Sequence, residues 1–268
     1  HIQGALINAL VGRAVLRVGG AQLVTVSMDW HAYDNGAIWA LRVNLVTGSR
    51  ALPLLWYELK KDELKGRQAE TERRALRDLV AYRPPGVLWV VLMDMGFHST
   101  ALVPLLEDAG FFLMRQGVKA TFHGPGQCWK QVGDLRINLG EVLECGWVYW
   151  TIEKAVQVRL VAARLYRGKR PRRGRRSTVR HYKYTDPGLC AVATNLPLDE
   201  FNAVQVIRLY ARRFEIEHNF RDLKNASFGL DMEHVHFQST EVYERAMCIV
   251  AVAQALLWLN GATVEARG

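Results

Sequence analysis

Tyr210, Arg213, Glu217 and Lys224 stand at offsets of 0, 3, 7 and 14 in the stretch YARRFEIEHNFRDLK. Read as one helix, these positions fall within roughly 60° of each other at about 100° per residue. One narrow stripe would then present an aromatic hydroxyl, a guanidinium, a carboxylate and an ammonium. Ile216, Phe220 and Leu223 lie mostly off that stripe and can anchor the helix to a core. A solvated charged face with i,i+4 pairing would show the same residue types, so the stripe alone decides nothing. Two aspartates upstream add to it. Asp29 closes the apolar, β-branched run that starts at Leu23, and Asp94 follows the unbroken apolar run VLWVVLM. Taken singly, Asp29 fits a strand-end turn and Asp94, before Met-Gly-Phe, fits an Asx turn ahead of a helix cap. Taken together with Glu217, they put an acid at each of two strand ends and a third on a helix. Three carboxylates that converge need a cation between them. Hard oxygen donors with positions left for water and phosphate specify Mg²⁺ or Mn²⁺. Two such ions about 3.5–4 Å apart clamp the attacking and leaving oxygens of an in-line phosphoryl displacement, with water or a 3′-hydroxyl as nucleophile.

The elements that would position these residues follow from the pattern. Leu23–Trp30, Ala37–Leu45 and Leu52–Leu59 read as three strands of an antiparallel meander, with Asp34-Asn35-Gly36 as a hairpin turn. Asp62–Tyr82 is periodic and charged and stops at Arg83-Pro84-Pro85-Gly86, so a helix is expected there. Val87–Met93 suits a central strand buried on both faces. Ser99 or Thr100 caps a helix reaching about Ala109, and Phe111–Arg115 reads as a further strand. From Gly117 to Asp186 an antiparallel β segment is expected, with strands at Leu135–Leu139, Val142–Trp150 and Val156–Leu165. Leu189–Thr194 is a last strand, Pro197 and Asp199 open the helical region of the stripe, and Glu241–Asn260 is a closing apolar helix.

Composition narrows the partners. The chain has 268 residues, half of them hydrophobic, with 35 Lys and Arg against 26 Asp and Glu, a net charge of +9. That length holds one large domain, or one with an insertion. The charge excess argues for a polyanion, nucleic acid before an anionic membrane. Between Leu165 and Tyr184 the chain carries nine Lys or Arg and no acid, among them Lys169, Arg170, Arg172, Arg173, Arg175 and Arg176. Such density excludes a packed helix and reads as an exposed arm on a phosphate backbone. The four cysteines show no C-x-x-C pair and suit a reducing cytosol. No signal peptide is visible. The most apolar stretch, Ala246–Leu259, is shorter than the roughly 20 residues a spanning helix needs and reads as a buried core helix. The chain begins at His1, and a preceding portion is expected to be missing. His234 and His236 are read as structural or surface residues.

Tyr210-x2-Arg213-x3-Glu217-x6-Lys224 reproduces the Y-R-E-K signature, and the chain thereby resembles the bacterial insertion-sequence DDE transposases defined by it. Asp94-Met-Gly-Phe resembles the block around that family's second acid and Asp29 its first, while Trp30 and His31 depart from the commoner residues after it. The resemblance spans Asp29 to Lys224. It implies an α/β fold: a ribonuclease H-like mixed five-stranded sheet flanked by helices, with a β-rich insertion before the third-acid helix. In this chain, 1–116 would be the first part of the core, 117–198 the insertion with the basic arm, and 199–268 the catalytic helix and C-terminal helix. It further implies that Asp29, Asp94 and Glu217 bind two Mg²⁺ or Mn²⁺ ions, and that Tyr210, Arg213 and Lys224 contact DNA phosphates. The implied partners are double-stranded transposon ends and target DNA, with a homodimer in the synapse and no membrane, in a bacterial cytoplasm at the nucleoid. Members of the family form a DNA hairpin and set a flipped base against an aromatic of the insertion; Trp129, Trp147 and Trp150 are the candidates here. Two further readings remain open: a non-catalytic DNA-binding protein derived from a transposase, and a ribonuclease H-like nuclease without strand transfer.

Overall fold

The computed structural model describes residues 2–11, 14, 16–18, 21–48, 50–97, 99–152, 155–165, 188–217 and 239–265. The class is mixed α/β, a large mixed sheet flanked by helices, compatible with the ribonuclease H-like expectation. The chain divides into two compact units: unit 1 is His1–Val91, Pro104–Gly110 and Arg212–Gly268, and unit 2 is Leu92–Val103 and Phe111–Ala211.

Unit 1 opens with α1 (Ile2–Val11), followed by β1 (Leu16–Val18), β2 (Ala21–Tyr33), β3 (Ile38–Val46) and β4 (Ala51–Lys60). Neither α1 nor β1 is expected from the sequence pattern. β2, β3 and β4 form the expected meander; β2 and β4 run longer than their apolar cores predict, and β3 is shifted by one residue. The hairpin turn works through its backbone: Asp34, Asn35 and Gly36 all take positive φ, which Asn, Asp and Gly tolerate best. α2 (Lys61–Ala81) follows directly, and then β5 (Val87–Met93) takes its place beside β2 in the order β4-β3-β2-β5. α3 (Val103–Ala109) leads to Gly110 at φ 138, where a Cβ would stand 2.7 Å from the Trp89 carbonyl oxygen; only glycine fits.

Strand alternation gives the meander two different faces. On one, Trp30 Nε1 donates to Glu72 Oε1 of α2 at 2.9 Å, and the Tyr57 hydroxyl donates to Asp78 Oδ2 at 2.8 Å. Asp29 pairs with Arg42 in the register and therefore shares the opposite face with it.

Unit 2 is antiparallel wherever its register is described. It holds β6 (Gly110–Gln116, from Phe111 on), β7 (Thr121–His123), β8 (Lys130–Gln131), β9 (Val142–Trp150), β10 (Val156–Arg164) and β11 (Leu189–Thr194), in the order β6-β11-β10-β9-β7-β8. The expected strand at Leu135–Leu139 does not form; that stretch has no regular structure. α4 (Ala203–Ala211) packs on β9 and β10 with Val206, Ile207 and Tyr210 buried. Arg159 is fully buried on β10, its guanidinium bonded to Glu144 of β9 and to the carbonyls of Leu196 and Pro197 at 3.2 and 3.3 Å.

α5 (Thr240–Glu265) returns to unit 1 and packs on β4 and α1. The sequence expectation of a buried core helix needs correction. Tyr243, Met247, Val250, Ala251 and Ala255 are buried, but Ile249, Leu256, Leu257 and Val264 are 57–73 % exposed. The helix is also longer than its apolar stretch. Thr240–Val264 meets the length and composition of a membrane span, yet its inner face is committed to the sheet: the Arg42 guanidinium donates to the Tyr243 hydroxyl at 3.0 Å and contacts Met247 Sδ at 2.9 Å.

Behind that contact lies a buried polar group. Arg42 is fully buried and its guanidinium lies 4.9 Å from the Tyr33 ring centroid. Burial pushes the Tyr33 hydroxyl well above its ordinary pKa. Burial also pushes the Glu58 carboxyl from 4.5 up to about 8, Glu244 adding to the shift and Arg42 opposing it. Between those two values the folded protein keeps a proton that the unfolded chain has lost, so stability falls as pH rises through that window. Glu58→Gln is expected to flatten this fall and raise the melting temperature at pH 8 by roughly 4 °C, leaving it nearly unchanged at pH 4.5; calorimetry across the window measures it.

Candidate active site

Asp29 lies inside β2, which runs on to Tyr33, rather than at the strand end expected from the sequence; its side chain is 17 % exposed and pairs with Arg213. Arg213 Nη1 donates to Asp29 Oδ2 at 3.2 Å, and Nη2 donates to Glu217 Oε1 at 3.3 Å. One guanidinium thus joins two of the three expected acids within unit 1. Its own side chain is 8 % exposed, while that of Glu217 is 55 % exposed.

The backbone that delivers Arg213 differs from the sequence expectation. The stretch from Tyr210 does not run as one α-helix. α4 ends at Ala211, a tighter 3₁₀ turn occupies Arg212–Phe214, and helix resumes over 215–217. Neighbouring contacts hold that turn. Arg212 Nη2 donates to the Val46 carbonyl at 3.2 Å and Arg212 pairs with Glu215, whose Oε2 accepts the Gly48 N–H at 3.0 Å. Ile216 is buried against Ala51. Anchoring to the β3–β4 connection winds the chain more tightly than the 100° spacing assumes.

Asp94 belongs to unit 2. It follows β5, and its Oδ1 accepts the Gly96 N–H at 2.7 Å, an Asx-type turn. It borders a cleft of about 720 Å³ lined also by Gln116, Lys119, Thr121, Trp150 and Thr151. A Cβ at Gly96 would sit 2.9 Å from Asp94 Oδ1, so any larger residue there must displace the carboxylate. If Asp94 serves as the metal ligand that the resemblance implies, Gly96→Ala is expected to push its carboxylate aside and lower metal-dependent DNA nicking about tenfold to a hundredfold, with the melting temperature held within a few degrees. Single-turnover nicking on a labelled duplex measures it.

Other expected residues are placed as follows. Tyr210 is buried on α4, 3 % exposed. Trp150 is buried, Trp147 is 39 % exposed, and Trp129 lies edge-on to His123, which stacks on Tyr149. Lys224 and the arm residues Lys169, Arg170, Arg172, Arg173, Arg175 and Arg176 lie outside the described residues, as do His234 and His236. Sequence reasoning missed Arg42, Tyr243 and Glu58. A lone cation inside the otherwise apolar strand AIWALRVNL was the available signal for the first.

Among the described residues, no group of three or more His, Cys, Asp or Glu side chains is gathered closely enough to hold a metal ion. The donor chemistry of unit 1 nonetheless fits a hard divalent cation: two carboxylate oxygens, one of them well exposed, already converge on a single positive group.

Fold and acids together define an α/β protein with paired carboxylates gathered at its sheet. Residues 15–254 match the Transposase DDE domain family, and the chain belongs to that family. No curated protein matches it. Membership makes this a DNA-acting transposase domain of a family that generally uses divalent metal ions.

Proposed function

We propose that this domain cuts DNA at transposon ends and joins the freed 3′-hydroxyl to target DNA by two-metal phosphoryl transfer. The observation that carries the reading is the Arg213 guanidinium shared by Asp29 and Glu217, strand acid and helix acid of the expected set. Asp29, Asp94 and Glu217 would hold two Mg²⁺ or Mn²⁺ ions, which supply positive charge at the displaced phosphate oxygens. Around them the chain would bind and orient DNA, with Tyr210, Arg213, Lys224 and the arm from Lys169 to Arg176 contacting phosphates. Asp29 is largely shielded from water on the β2–β3–β4 meander, so its charge would be felt strongly at a reacting phosphate. The Y-R-E-K spacing supports reading the chain as an insertion-sequence member of the family, which would carry a β-rich insertion at 117–198, form a homodimer in the synapse and act in the cytoplasm at the nucleoid.

Duplexes carrying the element's ends, incubated with Mn²⁺, test this with the parent and Glu217→Gln. Nicking and joining by the parent, both reduced at least about a hundredfold in the variant, are expected. Equal activity in the two proteins sinks the assignment. Nicked strands without joined products favour a ribonuclease H-like nuclease. DNA binding indifferent to metal, with no cleavage on any end, favours a non-catalytic DNA-binding protein.

A further inference from the structure

Arg213 stands where the paired acids require a cation. Its two terminal nitrogens serve different carboxylates, Asp29 at 3.2 Å and Glu217 at 3.3 Å. A guanidinium cannot shed its proton, so it is a permanent charge. While both terminal nitrogens are spent on acids, they are not spent on a DNA phosphate. A divalent ion taking the same two oxygens would meet that fixed charge within a few ångströms, and in a partly buried site the repulsion is strong. The backbone can let the side chain go. The turn that carries it is anchored separately, through Arg212 to the Val46 carbonyl and Glu215 to the Gly48 N–H. Glu217 is 55 % exposed, so water can replace the arginine there.

We propose that Arg213 is an exchangeable counter-cation: it holds Asp29 and Glu217 together off DNA, yields them to the divalent metal, and is thereby released to a DNA phosphate. This rests on the metal-holding role given above to Asp29 and Glu217. Two consequences follow. Arg213 lowers metal affinity in the absence of DNA. Metal and DNA also raise each other's affinity by the same factor, because each favours the released arginine.

Mn²⁺ binding, followed by electron paramagnetic resonance and calorimetry with and without a short duplex, tests this on the parent, Arg213→Gln, Arg213→Lys and Glu217→Gln. Without DNA, Arg213→Gln is expected to bind Mn²⁺ about tenfold more tightly than the parent, and the duplex-induced gain seen in the parent should shrink. Arg213→Lys keeps the charge but presents one ammonium that cannot span both acids, so a gain of about threefold is expected; it decides the matter if the glutamine variant fails to fold. Unchanged or weaker Mn²⁺ binding in the arginine variants, with Glu217→Gln weakened, makes Arg213 a fixed structural clamp and overturns the exchange while the metal site stands. Unweakened binding in Glu217→Gln overturns the metal site itself, and the exchange with it.

Discussion

Asp29→Asn is expected to lower metal-dependent nicking at least about a thousandfold while leaving the protein folded. The substitution preserves shape and removes one unit of negative charge. Asp29 sits on the central part of the β2–β3 pair, opposite Arg42, with only a sixth of its side chain exposed. An amide there can still accept a hydrogen bond from Arg213, so the turn at Arg212–Phe214 keeps its seat. What it cannot supply is an anionic oxygen for a hard cation. Single-turnover nicking at saturating Mn²⁺, paired with circular dichroism, separates lost chemistry from lost structure. A variant within about threefold of the parent would remove Asp29 from the acid set.

Glu144→Leu is expected to destabilise the protein by about 3–5 kcal/mol, because it leaves the Arg159 guanidinium buried without its carboxylate. Arg159 has no exposed side-chain surface, whereas Glu144 is 30 % exposed. The two carbonyls that also receive Arg159, of Leu196 and Pro197, cannot neutralise it. Removing both charges is a different matter: Glu144→Leu with Arg159→Met should recover most of the loss, since a buried pair and a well-packed apolar substitute differ little. Urea denaturation of the two single variants and the double variant measures the coupling. A Glu144→Leu midpoint equal to the parent's would mean that water reaches Arg159.

Much of the fold was legible because burial writes itself into residue type. Val87–Met93, Val142–Trp150 and Leu189–Thr194 begin and end where their apolar or alternating runs do. The hairpin at Asp34–Gly36 was legible because positive φ selects Asn and Gly. Leu135–Leu139 misled because alternation says nothing about whether a neighbouring strand is available to pair. Helical spacing over 210–224 misled for a related reason. The 3₁₀ turn at Arg212–Phe214 is imposed by contacts to Val46, Gly48 and Asp29, all of which are distant in sequence. α5 shows the limit of composition: an apolar stretch reveals that a helix wants a core, not how many of its sides find one. The acids were recognisable from their order and the block around each. That an arginine rather than solvent lies between two of them was not.

The distance along the chain between those partners has a consequence for biogenesis. Asp29 precedes Arg213 by 184 residues, and Arg42 precedes Tyr243 by 201. At about 5–20 residues per second, the ribosome needs roughly 10–40 s to add the first of these intervals. The meander of β2, β3 and β4 can pair from local contacts long before then, carrying its charged face unsealed. Arg213 cannot reach Asp29 until that interval has been made, so in the nascent chain the acid pair and its arginine assemble well after the sheet strand that carries Asp29.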